Sequence, residues 1–228
     1  MNSNRKTAGF VGALFLTAMV ASLLGGGLVE SVISTPNHLV TSENETLLIV
    51  GMLLELVNAI VVVGIASLMF PILKQHNETM AVGYLGFRIV EAVFCGMIVI
   101  APLSLMTLSR EYLKAGISDV QFQAAGILAI AERSSMANLL ILIFFCLGAF
   151  LLYSLLYQSK LLPRFISVWG LVAVVLVLIM NLLSLKLEIG LGISMIFALP
   201  IILNEIFMGI WLIVKGFNPS VDVPPSLP

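Results

Sequence analysis

Four ionisable residues stand inside otherwise apolar stretches of the sequence: Glu55, Arg88, Glu91 and Glu205. A charge at the centre of a bilayer costs roughly 2.5–3.5 kcal/mol on insertion scales, so such residues persist where they are paired or useful. Arg88 and Glu91 are three apart, which places them on one helix face. At about 1.5 Å of rise per residue, they lie roughly 12 and 16 Å from the start of their stretch, and Glu205 about 15 Å from the end of its own. These three share a level. Glu55 sits higher, with Asn58 one turn from it. Asn204 precedes Glu205, and Asn138 and Asn181 add further uncharged polar groups.

One arginine against two carboxylates leaves an acid in excess. The set reads as a proton, cation or ligand site, as an ion-pair staple between the third and sixth apolar stretches, or as separate, unrelated residues. Pro102 and Pro200 interrupt those same two stretches, and a proline frees a backbone carbonyl one turn before it.

Other chemistry is excluded by residue type. His38 and His76 both lie between apolar stretches, so no pair of intramembrane axial haem ligands exists. The sequence contains no HExxH, no GxSxG and no Walker loop. No apolar stretch combines a serine with a histidine base or contains an aspartate, which removes the membrane-embedded serine and aspartyl hydrolases. Cys95 and Cys146 sit singly in apolar surroundings and read as small hydrophobes. No catalytic residue, metal site or cofactor is indicated, and enzymatic activity stays an open, less favoured alternative.

The elements that must position these residues follow from composition. Of 228 residues, 60% are hydrophobic and 10% charged, against roughly 25% charged in a soluble domain. The mean hydropathy of +1.14 excludes a soluble enzyme and a disordered chain, and the net charge of −1 offers no basic field for nucleic acid. The pattern predicts an all-α polytopic bundle of six spans over about 8–29, 47–73, 80–108, 136–157, 165–184 and 190–214. Residues 1–217 form a single domain, and 218–228, rich in proline, read as a disordered tail.

Placing both termini in the cytoplasm puts Arg5, Lys6, Lys74, Lys160, Arg164 and Lys215 inside, against Arg110, Lys114, Arg133 and Lys186 outside, the arrangement that short loops favour. The long external segment 109–135 contains a Ser118–Gln121 capping box. Val120, Ala124, Ile127, Leu128 and Ala131 then share one face of a short amphipathic helix before the fourth span, read as an interfacial helix, an extension of that span, or a lid. A second box, Ser42 with Glu45, opens the second span.

Gly86-Phe87-Arg88-Ile89-Val90-Glu91-Ala92 resembles the third-helix signature of an uncharacterised bacterial family of six-span membrane proteins, known as a domain of unknown function. Tyr153 to Arg164, ending in Leu162-Pro163-Arg164, is similar to that family's fourth-helix exit. Asn204-Glu205 followed by Gly209 to Phe217 resembles its last helix, and Ala8-Gly9-Phe10 after Arg5 fits its opening. The resemblance implies a multi-pass protein of the bacterial cytoplasmic membrane, singles out Arg88, Glu91 and Glu205, and brings no activity with it.

Three functions are compatible with these residues. The first is binding or transport of a small amphipathic molecule, lipid or ion beside a polar cluster of Arg88, Glu91, Glu205, Asn204, Glu55 and Asn58. The second is a structural or regulatory membrane subunit whose charges are helix–helix staples. The third is a membrane-embedded lipid-modifying enzyme. Membrane lipid is the expected surrounding partner, and a homo-oligomer is compatible with the chain, though no residue specifies an interface.

Overall fold

A computed structural model describes residues 3–35, 39–115, 119–184, 186–187 and 191–218. The described chain is helical: α1 (Ser3–Ile33), α2 (Glu45–Leu73), α3 (Glu78–Met97), α4 (Ile100–Ala115), α5 (Asp119–Ser135), a π-helical segment (Met136–Ile141), α6 (Leu142–Ser159), α7 (Arg164–Ser184) and α8 (Leu191–Val214). Six helical stretches are long and apolar enough to cross a membrane, at Arg5–Ile33, Glu45–Leu73, Glu78–Lys114, Val120–Ser159, Arg164–Ser184 and Ile193–Val214. The six spans fall where the sequence places them. Residues 219–228, most of the expected tail, lie outside the described residues, as does Ser118 of the first capping box.

The third and fourth spans run well past the expected length. The 37 residues of the third, at about 1.5 Å each, give ~55 Å, where a hydrocarbon core of ~30 Å needs about 20 residues. Their extensions, α4 and α5, pair with each other. Tyr112 and Phe122 close that hairpin with ring centroids 4.6 Å apart. The segment 109–135 is therefore mostly the extended ends of two spans. The face carrying Val120, Ile127 and Leu128 is exposed, and Phe122 and Arg133 are buried instead. The apolar stripe points outward, as a helix beside lipid requires.

Local starts obey ordinary capping chemistry, with one substitution. Asn77 caps α3, its side chain accepting from Met80 N at 3.0 Å. At α2 the helix begins at Glu45 as expected, but the cap residue is Asn44. Its side chain turns back to accept from Thr41 N at 2.8 Å, and Glu45 pairs with Arg110 instead of closing a box with Ser42.

Each span packs on its neighbours in the chain, and the last returns to the first. The α1–α8 seam depends on glycine, because a Cβ on Gly12 would stand 2.5 Å from the carbonyl oxygen of Gly209. Small residues allow this approach where lipid supplies no hydrophobic drive between helices. Beside the seam, Arg5 Nη2 donates to the last α8 carbonyls, Ile213 O at 3.1 Å and Val214 O at 2.6 Å. Asn218, the first residue of the segment read as a tail, donates from its backbone to Leu161 O at 2.8 Å and from its side chain to Lys160 O at 2.9 Å.

The apolar core divides into two clusters. One gathers Val11, Phe15, Val61, Ile65, Tyr84, Leu152, Tyr153 and Ile166 with their neighbours. The other gathers Val29, Ile33, Leu48, Met52, Ile98 and Leu105. Between Met52 and Val61 on α2, Glu55 interrupts the buried apolar side chains, and between Tyr84 and the end of α3 Arg88 and Glu91 do so. That interruption holds the candidate sites.

Candidate functional site

Two polar centres occupy the interior. In the first, Arg88 Nη1 donates to both oxygens of Glu91, at 3.1 and 2.8 Å, one turn along α3. Both side chains are about 5% exposed, a desolvation that an ion pair offsets only with good geometry. The arginine stem lies across Gly148 of α6, where a Cβ would stand 3.0 Å from Arg88 Cδ. Its guanidinium sits 5.7 Å from the Phe145 ring centroid.

Tyr84, Tyr153 and Glu205 share the electrostatic field of this pair. Tyr84 and Tyr153 are wholly buried. The Tyr84 hydroxyl lies near Arg88, yet neither tyrosine completes an aligned hydrogen bond, and Arg88 Nε and Asn204 Oδ1 also lack one. Glu205 is partly buried and makes no ion pair among the described residues. Of Arg88, Glu91 and Glu205, the ion pair joins only the first two. Arg88 does not staple the third span to the sixth; its partner is on its own helix. Asn204 serves a different contact, donating from Nδ2 to Ile166 O of α7 at 2.9 Å.

Glu55 belongs to the second centre, with a partner that the sequence reading places outside the membrane. Arg133 Nη1 donates to Glu55 Oε2 at 3.1 Å, and Arg133 Nη2 donates to Glu55 Oε1, a two-pronged ion pair from α5 to α2. Both residues are more than nine-tenths buried. Arg133 Nη1 also donates to Ile98 O at 3.0 Å. That carbonyl would ordinarily accept from residue 102, but Pro102 has no N–H, and α3 gives way to α4 at this point. Pro200, by contrast, lies within an unbroken α8.

A cavity of about 220 Å³ opens beside the Glu55–Arg133 pair. Ser22 and Gly26 of α1, Asn58 of α2, Cys95 and Ile98 at the end of α3, and Ala137 and Ile141 of the π segment complete its wall. A Cβ on Gly26 would meet nothing within 4 Å. Asn58 makes a long contact, Nδ2 to Cys95 Sγ at 4.0 Å. The π segment shifts the backbone register where it borders the cavity, and the Asn181 side chain donates to the carbonyl of Asn138 there.

Cys95 and Cys146 are free thiols. No group of three His, Cys, Asp or Glu side chains suited to a metal exists among the described residues. Neither centre offers a histidine to activate a nucleophile.

Six apolar spans around two buried polar centres define a multi-pass helical membrane protein. The family model described as Domain of unknown function (DUF4386) matches residues 10–216, and the chain belongs to that family. No curated protein and no solved structure matches it.

Proposed function

We propose that this chain is a membrane-embedded binding protein that takes a small amphipathic molecule or lipid into the cavity beside Glu55 and Arg133. The observation that carries this reading is the composition of the wall. Asn58, Ser22 and a buried ion pair share it with Ile98, Ala137 and Ile141, so it offers the two kinds of surface an amphiphile needs. The volume of about 220 Å³ is below the roughly 300–1,000 Å³ of sites that swallow a whole drug-sized ligand. It suits a head group with its first few carbons.

The setting we propose is a bacterial cytoplasmic membrane with both termini inside. Burial of Arg133 removes it from the external loops, leaving Arg110, Lys114 and Lys186 outside against six basic residues inside, which widens the positive-inside margin.

Native mass spectrometry of the full chain, extracted in mild detergent, tests the binding reading. The wild type is expected to carry an amphiphile adduct that Gly26→Trp, which fills the cavity from a position free of contacts, does not carry. Bare masses for both, or the same adduct on both, would overturn it. The alternative of a purely structural subunit draws on the Glu55–Arg133 link between the second and fourth spans, and requires Gly26→Trp to be silent in every binding measurement.

A further inference from the structure

The polar groups of the cavity differ in how much bonding capacity they have left. Glu55 has both oxygens engaged by Arg133, and Arg133 spends three contacts on Glu55 and Ile98 O. The pair is therefore neutral as a unit. A charged head group entering beside it would either break a bidentate contact or bring an uncompensated charge to membrane depth, and both are costly.

Uncharged hydrogen bonding is what the cavity leaves open. The Asn58 amide has its distant sulfur contact, so its carbonyl can accept and its amine can donate. Ser22 adds a hydroxyl. On the same helix Thr17 and Ser31 return their hydroxyls to preceding carbonyls, at 2.9 and 2.7 Å. Ser22 makes no such bond among the described residues, and it is exposed at the wall of the cavity. Serine and threonine in helices ordinarily satisfy themselves in this local way. A free hydroxyl and a carboxamide whose one contact is that long approach to sulfur are, in the wall of one cavity, a recognition pair with no ligand yet assigned.

We infer that the cavity selects an amphiphile whose head is uncharged and hydrogen-bonding, a hydroxyl or a carbonyl, carried on an apolar chain. Asn58 and Ser22 hold the head, the Glu55–Arg133 pair excludes charged heads, and the chain lies along Ile98, Ala137 and Ile141 toward the open side. This specificity rests on the cavity being a binding site, as proposed above.

Three probes sharing one hydrocarbon chain separate the two claims: monooleoylglycerol, oleic acid and oleylamine. Each is added to the full chain in lipid nanodiscs, and retention is read by native mass spectrometry for wild type, Asn58→Leu and Gly26→Trp. Monooleoylglycerol is expected to be retained at least about tenfold better than either charged probe, since an uncompensated charge at that depth costs more than such a ratio represents. Asn58→Leu, which breaks no strong contact of the fold, should lower the retention of monooleoylglycerol about tenfold, the difference one lost hydrogen bond makes, and leave the weak retention of the charged probes as it is. Two results would overturn the head-group inference and leave the binding site standing. One is retention of oleate or oleylamine equal to or above that of the neutral probe, abolished by Gly26→Trp. The other is undiminished retention of monooleoylglycerol by Asn58→Leu. Equal retention of every probe by wild type and Gly26→Trp would overturn the binding reading itself.

Discussion

Arg133 donates from Nη1 to the carbonyl oxygen of Ile98, 35 positions earlier in the chain, at 3.0 Å. Pro102 is the reason that carbonyl is free. One side chain thus covers the backbone defect of the third span while holding a carboxylate on the second. If the two roles are linked, Pro102→Ala restores an N–H for Ile98 O and makes Arg133→Lys less damaging. A double-mutant cycle in mixed micelles should return a coupling of about 0.5–3 kcal/mol. Additive losses would mean the contact is incidental.

The ion pair itself should show the asymmetry of buried charges. Glu55→Leu alone strands Arg133 and is expected to cost roughly 3–5 kcal/mol, while the double replacement Glu55→Leu with Arg133→Met recovers most of it. Denaturant midpoints of the purified protein measure both. A double variant as unstable as the single one would show that the pair contributes more than its own charge compensation.

The carboxylates of the other centre are predicted to behave unequally. Glu205 has no ion pair to break, so Glu205→Gln should change stability by no more than about 0.5 kcal/mol. Arg88→Met leaves Glu91 buried without its partner and should cost several times as much, roughly 3–5 kcal/mol. Thermal unfolding of the two variants side by side decides the matter, and equal losses would place Glu205 in a bond as strong as that of Glu91.

Glycines on α1 give a steric contrast. Gly12→Val places a Cβ 2.5 Å from Gly209 O and should destabilise by about 1–3 kcal/mol through overpacking. Gly26→Ala meets nothing within 4 Å and should be neutral or gain up to ~1 kcal/mol from helix propensity. Limited proteolysis of the α1–α8 seam reports the first variant, and unfolding midpoints report the second. Equal midpoints for the two would mean that the seam yields without cost.

The spans were legible because twenty-residue apolar runs have no other stable use, and the polar exceptions stood out against them. Arg88 with Glu91 was legible from spacing alone. The partner of Glu55 was not. Arg133 sits after Glu132 in a segment of mixed composition, and hydropathy assigns such a segment to a loop, although the α5 helix carries it inward. An arginine three residues before the apolar run that opens at Met136 was the available signal. The π segment leaves no mark in periodicity, since a single register shift over a few positions is lost in the pattern of an almost wholly apolar stretch. Tyr84 and Tyr153 do not stand out as site residues for a related reason. Tyrosine is ordinary in membrane helices, and only the three-dimensional arrangement shows their hydroxyls buried without aligned partners.

The order of spans around the ring is the order in which the ribosome makes them. Each new span finds its packing partner already in the membrane, because the interfaces form between sequence neighbours wherever the chain allows it, as short connections favour. The contact of Gly12 with Gly209 requires the sixth of these spans. Without the sixth span the first would have one unclosed flank, and it is at this closure that Arg5 reaches the end of α8.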